Sequence, residues 1–383
     1  MRKKMVAVLL CSTILFTGCG KIENVNETKD SKDVISTQEN EEKKAEAFPE
    51  NYQKADGNVI FDLQVHADID PTKDKLTTAE ATLQKKVDHD TAVSVLCPRK
   101  DVQFETETYE DEYEKNGTSY WYSGEDFDYS YETKSSAISY NTPLYSYIPN
   151  SFQHDPNYQG YNADLYSAEK DFSFMKQTDA KNEVLQVLKK LGFDYETEVH
   201  GYALDHTTME QEENVMDIDG NQDESLKKSE WTSDDDCYYF CVWQKYQNLP
   251  VYHLYADIIN QYDDSTAPVQ AIWGKDGLQY LNIEDVFAFK PKEEVTCLPF
   301  EEVATTISKK YNELLKTGEC HFTDATLTMY VEVTSTKCPY QATPVWVFQG
   351  KQKAEKEGEA DTPILVLVDA ATGKEVVPCP TYD

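Results

Sequence analysis

Positive charge is scarce in this 383-residue chain: 36 Lys and Arg stand against 70 Asp and Glu, a net charge of −34 at pH 7. Such an acid excess excludes nucleic acid as a partner and disfavours docking on anionic lipid headgroups. Basic proteins and divalent cations remain electrostatically acceptable. His-Glu-x-x-His, Gly-x-Ser-x-Gly, a phosphate loop and a dinucleotide fingerprint are all missing, as are Cys-x-x-Cys and Cys/His metal spacings. The chain therefore carries no motif for catalysis, metal or cofactor, and the expected catalytic, metal-binding and cofactor-binding residues are none. The seventy acids offer too many carboxylate pairs for any one to single out glycoside cleavage. A membrane-spanning apolar run is lacking too, since the apolar stretch Met5–Phe16 is too short to cross a bilayer as a helix.

That stretch reads instead as the middle of a secretory signal. Arg2, Lys3 and Lys4 precede it, and Phe16-Thr17-Gly18-Cys19 follows. Residues 1–18 are expected to be removed as a lipoprotein signal peptide, with Cys19 carrying the lipid. Loss of those three basic residues, with no acid among residues 1–18, takes the charge from −34 to −37. Residues 19–57 are polar and read as a disordered tether, of a length that reaches on the order of 30–35 Å.

Nine cysteines fall to seven once Cys11 and Cys19 are set aside, so at least one thiol stays unpaired in a monomer. Cys237 and Cys241 share a strand face roughly 13 Å apart, too far to bond each other. Most of the seven read as small buried apolar residues. Cys320 with Cys338 is the pair favoured for a single disulfide.

Period-two alternation marks a strand at Val59–Ala67, and Ala92–Cys97 reads as another. Leu76–Lys86 reads as a short helix or an irregular connection. Residues 103–161 combine dense acids with Tyr109, Tyr113, Tyr120, Trp121 and Tyr122, and Phe127, Tyr129 and Tyr131 alternate on one face. They make either an aromatic platform for a glycan or a thin β-sheet core covered by tyrosines. Thr178–Leu191 is the clearest helix: Thr178 caps it, Val184, Leu185, Leu188 and Leu191 form its stripe, and Gly192 ends it. Phe300–Leu315 is the second, with Val303, Ile307, Tyr311 and Leu314 in line and Gly318 closing it. Strands are expected at Glu196–Leu204, Cys237–Gln244, Leu249–Tyr255, Ala325–Val333, Pro344–Phe348 and Pro363–Val368. Val269–Trp273 and Leu278–Leu281 form a hairpin. Asp369-Ala-Ala-Thr-Gly373 is a turn in which Asp369 bonds back to nearby amides and Gly373 takes a positive φ.

Asp217–Asp223 has the look of a calcium loop but places Gln222 where the turn needs Gly and Lys228 where a bidentate Glu belongs. Asp234–Asp236 reads as a solvated loop. His200, Asp205 and His206 lie close in sequence, yet a third ligand is missing, and exposed strand-end histidines are the simpler reading.

Helix, strand and a Pro-Val-aromatic strand recur in order. Thr178 and Phe300 start the helices, while Leu249-Pro-Val-Tyr252 answers Thr343-Pro-Val-Trp346. The offsets, 122 and 94 residues, differ by 28, about the length of the polar loop 205–233. The first unit therefore reads as the second plus a dispensable insertion. The expected fold is α+β, with antiparallel sheets each covered by a helix, in tandem repeat, preceded by a β-rich N-terminal domain. Residues 58–177 would form that domain, 178–295 the first helix-plus-sheet unit and 296–383 the second.

The order of helix, strand, Pro344-Val-Trp-Val-Phe348 and Leu365-Val-Leu-Val-Asp-Ala-Ala-Thr-Gly-Lys374 resembles PepSY-type domains. It is also similar to the tandem-domain extracellular regulators of the Gram-positive cell-wall histidine kinase, whose closing hairpin Asp369, Ala370, Thr372 and Gly373 match. The likeness covers about residues 178–383, and the whole chain resembles uncharacterised clostridial surface lipoproteins. The kinase regulators carry an N-terminal membrane helix where this chain has a lipid site. The resemblance implies a non-enzymatic lipoprotein, anchored at the outer face of the plasma membrane through Cys19, that binds or regulates a protein partner at the cell envelope. The rival expectation is a glycan- or cell-wall-binding module, or a wall-active enzyme, using residues 103–161.

Overall fold

The computed structural model describes residues 47–99, 101–109, 117–156, 158, 160–217, 220–253, 263–314, 318–332, 339–354, 356 and 360–377. All fall within one unit, Lys43–Asp383. The fold is mixed α+β, dominated by strands with few helices.

The chain opens with β1 (Asn51–Asp56), β2 (Val59–His66), β3 (Leu76–Leu83) and helix α1 (His89–Leu96). A meander follows: β4 (Glu105–Tyr109), β5 (Gly117–Ser123), β6 (Asp128–Glu132) and β7 (Ile138–Asn141). After the short α2 (Ile148–Ser151) come α3 (Gln177–Lys190), β8 (Thr197–Leu204) and α4 (His206–Glu212). Next are β9 (Cys237–Tyr246), β10 (Leu249–His253), β11 (Val269–Gly274), β12 (Gly277–Ile283) and β13 (Phe287–Val295). Helix α5 (Phe300–Leu314) leads into β14 (Cys320–Glu332), β15 (Tyr340–Gln352), β16 (Thr362–Asp369) and β17 (Glu375–Val376).

Two curved layers carry these strands. In the first, β14 and β15 pair antiparallel over their full length, from Cys320 opposite Gln352 to Glu332 opposite Gln341. β16 and β3 share the outer side of β15, and β2 and β10 run parallel to the two ends of β14. β1, β13 and β17 complete the layer. The second layer is antiparallel throughout, in the order β4–β5–β6–β7–β12–β11–β9–β8. The β9–β10 hairpin passes the chain between layers through Gln247 and Asn248, both at positive φ.

Three hydrophobic cores follow from the period-two alternation. Phe300, Val303, Ala304 and Ile307 of α5 pack with Phe61, Phe322, Trp346, Phe348, Val366 and Val368. Val184, Leu188 and Leu191 pack with Phe240, Val242, Val269 and Ala271 of the second layer, joined by Ala92 and Leu96 of α1. A third core joins the layers' remaining faces, with Tyr239, Cys241 and Trp243 from β9 meeting Tyr330, Val345, Val347 and Leu367.

Several sequence expectations need correction. Val251 belongs to the α5 core and not to the core beneath α3, so Leu249–Tyr252 is not the first unit's counterpart of Thr343–Trp346. The α5 stripe meets Trp346, Phe348, Val366 and Val368; Val345, Val347 and Leu367 face the other way, because successive strand residues point to opposite faces. The expected boundaries do not separate the sheets. Within 58–177, β2 and β3 join the first layer and β4–β7 the second. The tether stops short of Asp56: residues 51–56 form β1, paired with β2 through Gly57 at positive φ, and Phe48 packs edge-on against Trp346.

Residues 89–96 are helical, because Asp88 accepts from the Thr91 amide at 2.9 Å and Ala92 and Leu96, one turn apart, are both buried. Leu76–Leu83 is a strand held between β13 and β15. The first long helix starts at Gln177 after Lys176, without a side-chain cap from Thr178. Of the favoured disulfide pair, Cys338 lies outside the described residues; Cys320 is buried opposite Gln352 with a free thiol. Leu314's side chain, Leu315, Tyr113, Tyr255 and Val333 lie outside the described residues. Loop 205–233 is no disposable insertion: it contains α4 and buries Met209 and Trp231 in the third core.

Candidate functional site

At one mouth between the layers lies a hollow of about 400 Å³. The end of β2 brings His66, and Asp68 follows it. β8 brings Glu198 and His200, β9 brings Trp243, β14 brings Asp324 and Thr326, and β15 brings Gln349. Asp263 and Asp264 enter from the turn before β11. The pairings of β14 with both β2 and β15 shift register between Phe322 and Asp324. A bulge of this kind bends a strand and re-aims the residues beside it, which places Asp324 on the rim.

Two further hollows share these walls. His200 and Asp264 also line a space of about 360 Å³ between α3 and β8, beside Gln177, Lys181, Val199, Gly201 and Phe240. Asp263, Asp324 and Gln349 also line a space of about 450 Å³ with His321, Lys351, Lys353 and Asp361. The three make one groove across the junction.

Its electrostatics centre on His200. The ring bonds Asp264 at 2.6 Å through Nδ1 and Glu198 at 3.0 Å through Nε2. Those two carboxylates outweigh burial and push the imidazole up to about 10, so it is an imidazolium at neutral pH. Burial alone would raise the Asp264 carboxyl, but His200 holds it below its ordinary value, helped by bonds from Tyr202 and Trp243; the Tyr202 hydroxyl donates at 2.6 Å. Asp263 differs. Burial pushes it up to about 6, against bonds from Ser265 and with Asp155 and Asp264 adding repulsion. Lys245 holds Asp68 at 2.7 Å on the rim. The hollow thus presents five carboxylates, with the His200 imidazolium between Glu198 and Asp264 and Lys245 beside Asp68, and carboxylates outnumber cations there.

The residues singled out in the sequence are dispersed. Cys19 lies outside the described residues. His206 sits at the start of α4, where Asp236 accepts from its amide at 2.8 Å and meets its ring at 2.7 Å, well apart in role from His200. Asp205 caps α4 through Thr208. Asp217 accepts from the Asn221 amide at 2.8 Å, a local turn. Asp234 and Asp235 pair with Lys275 and Lys228 at 2.6 and 3.0 Å, so this run is a set of staples and not a free loop. Among the described residues no three His, Cys, Asp or Glu side chains are arranged to hold a metal ion. Phe127, Tyr129, Tyr131 and Tyr140 are buried beneath α1, while Tyr120, Trp121 and Tyr122 are half-buried.

His200 is exposed, as expected, but its ring is bound by two carboxylates, and Asp263, Asp264, Asp68 and Asp324 went unmarked in the sequence. Part of the signal was present. Glu198 and His200 are two apart on a strand and must share a face. Asp263-Asp264-Ser265-Thr266 has the composition of a self-capping turn, and it forms a reciprocal capping box.

No protein-family model and no curated protein matches this chain. In fold it is similar to the crystal structure of an uncharacterised protein from Eubacterium rectale. That similarity has a TM-score of 0.60 at 14% identity, over 86% of this chain and 93% of the other. At that identity the likeness is one of fold.

Proposed function

We propose that this chain is a non-enzymatic lipoprotein, anchored through Cys19 at the outer face of the plasma membrane, that binds and regulates a protein partner of the envelope. The observation that carries the reading is the acidic groove at the junction of the two layers. Its carboxylates are held by neighbouring side chains and await a cationic surface. The signal-like N-terminus and Cys19 support the location.

The reading extends to the fold's ancestry. α3 over β8, β9 and β11, and α5 over β14, β15 and β16, repeat one plan: a helix followed by three antiparallel neighbours. That supports a tandem pair related to PepSY-type domains, with β9, not β10, as the partner of β15.

The test is retention of envelope proteins on the full-length protein, with Asp68→Asn/Asp324→Asn as the control. Both side chains are largely exposed, at 62% and 41%, so the fold should tolerate the change. One protein retained by the wild type and lost from the variant, at equal melting temperature, is the expected result. Equal retention by both, or turnover of soluble cell-wall fragments by the wild type, would end the proposal. Cys19→Ala should abolish fatty-acid labelling; persistent labelling would remove the anchor from it.

A further inference from the structure

β8 is an outermost strand of the second layer, with its one ladder to β9. The Lys245 amide donates to Glu196 O at 2.7 Å on the β9 side. The Ala203 amide donates the other way, to Ser167 O at 2.9 Å. In an antiparallel strand alternate residues turn their main-chain groups to the same side. Val199 and Gly201 share the parity of Ala203, so their N–H and C=O groups point outward. Among the described residues neither has a hydrogen-bond partner on that side. Both line the second hollow, and so does Gln177, whose buried Nε2 is also unpartnered.

Other sheet margins are blunted. β13 carries Lys290, Pro291, Lys292, Glu293 and Glu294 and breaks its ladder between Pro291 and Glu294. β1 is six residues long with Lys54 bound to Glu301, and β4 is five residues long with Glu105 and Glu107 exposed. Lysine, proline, charge and shortness are the usual guards against strand addition. At Val199 to Gly201 neither lysine, proline nor shortness stands; the one charge there, His200, is already bound by Asp264 and Glu198, and it leads into the acidic hollow that it lines with Asp264.

We infer that the β8 edge is a strand-addition site. It takes an extended segment of a protein partner bearing lysine or arginine at alternate positions, main chain on Val199 and Gly201 and basic side chains toward Glu198, Asp264 and Asp324. The inference rests on the partner-binding reading above and gives it a mode. Main-chain bonds supply affinity and alternate side-chain sites supply selectivity, as in strand-addition recognition generally. Lys181, on the α3 side of the second hollow, disfavours a basic residue there and so fixes which side of the added strand carries the charge.

The probe is the acetylated, amidated peptide Lys-Val-Lys-Val-Lys-Val, titrated calorimetrically into full-length protein, with amide exchange followed at Val199 and Gly201. Saturable binding is expected, with both amides slowed at least tenfold. N-methylation of alternate peptide bonds should weaken binding at least tenfold, and Glu-Val-Glu-Val-Glu-Val should not bind. Val199→Pro removes an N–H the β9 ladder does not use and should abolish binding; should that variant not fold, the wild-type exchange decides. No binding by the lysine peptide, equal binding by its N-methylated form, or unprotected amides would overturn strand addition. Those results leave intact a partner whose retention depends on Asp68 and Asp324. Loss of that dependence would instead remove the partner-binding reading itself.

Discussion

The α5 core and the junction groove lie on the same two strands, β14 and β15, and differ in almost every physical respect. Beneath α5, Phe61, Phe322, Trp346 and Phe348 are at most 2% exposed, and aromatic edges meet aromatic faces, as with Phe300 on Trp346 at 4.9 Å. In the groove, Asp324 and Gln349 of those strands face His66, Asp263 and the His200 cluster. The core is held by area removed from water, which any apolar side chain of the right volume supplies. The groove is held by ion pairs whose desolvation offsets much of their attraction, so it contributes little to stability.

The contrast is sharpest where polar and apolar meet, in loop 205–233. Trp231 is 6% exposed in the third core, and its indole donates at 2.9 Å to Glu213, itself 5% exposed. Trp231→Ala should therefore have the largest effect, about 3–5 kcal/mol in denaturant unfolding, from lost packing plus a stranded acceptor. A loss below 1 kcal/mol would restore the loop to a dispensable insertion. Ile307→Ala and Leu188→Ala test the two helix cores, each with an expected cost of roughly 2–5 kcal/mol. Equal and additive losses would mark two independent helix-over-sheet cores. A much smaller loss for either would show that its helix contributes little to its layer.

Legibility in the sequence follows the same divide. Val184, Leu188, Val303 and Ile307 stood out by helical spacing and are all buried. Cys237 and Cys241 shared a face by parity and are both buried. What failed was choice of partner. Val345 and Trp346 are neighbours on one strand, and periodicity cannot say which of two apolar faces meets the helix. The 89–96 helix failed because Val93 and Val95 favour strands, while the Asp88 cap and the Ala92–Leu96 spacing favour a helix; tertiary burial decided. The groove was the least legible, because His66, His200, Asp263 and Asp324 come from four distant segments and each alone reads as a solvated surface residue.

Gly373 probes the dry side with a smaller change. Its φ is +66°, Asp369 accepts from the Thr372 amide at 2.7 Å, and an added Cβ would stand 3.0 Å from Leu298 Cδ1. Gly373→Val forces a β-branched residue into the left-handed region beside the α5 core, at an expected cost of about 1–3 kcal/mol. An unchanged melting temperature would mean the turn relaxes without involving that core.

The smallest effect belongs to the groove, and its sign separates the two regions. The folded-state value of His200 is raised to about 10 from 6.5, so its ion pairs stabilise the fold fully below pH 6.5. That contribution falls away as pH rises toward 10. The lowered value of Asp264 acts at the other end, its share vanishing as pH falls through the acid range. Asp263 has the opposite sign: raised to about 6 from 3.8, it costs stability as it ionises, and the cost is constant above about pH 6. Because the His200 side chain is 47% exposed, solvent screening holds its contribution to about 1 kcal/mol. Chemical unfolding of wild type and His200→Gln across pH 5 to 10 should show curves separated by that amount at pH 6 and converging by pH 10. Ile307→Ala should run parallel to the wild type over the same range. A His200→Gln curve that stays parallel instead would mean that folding does not change the imidazole's protonation, and the hold of Asp264 and Glu198 on its charge would be lost with it.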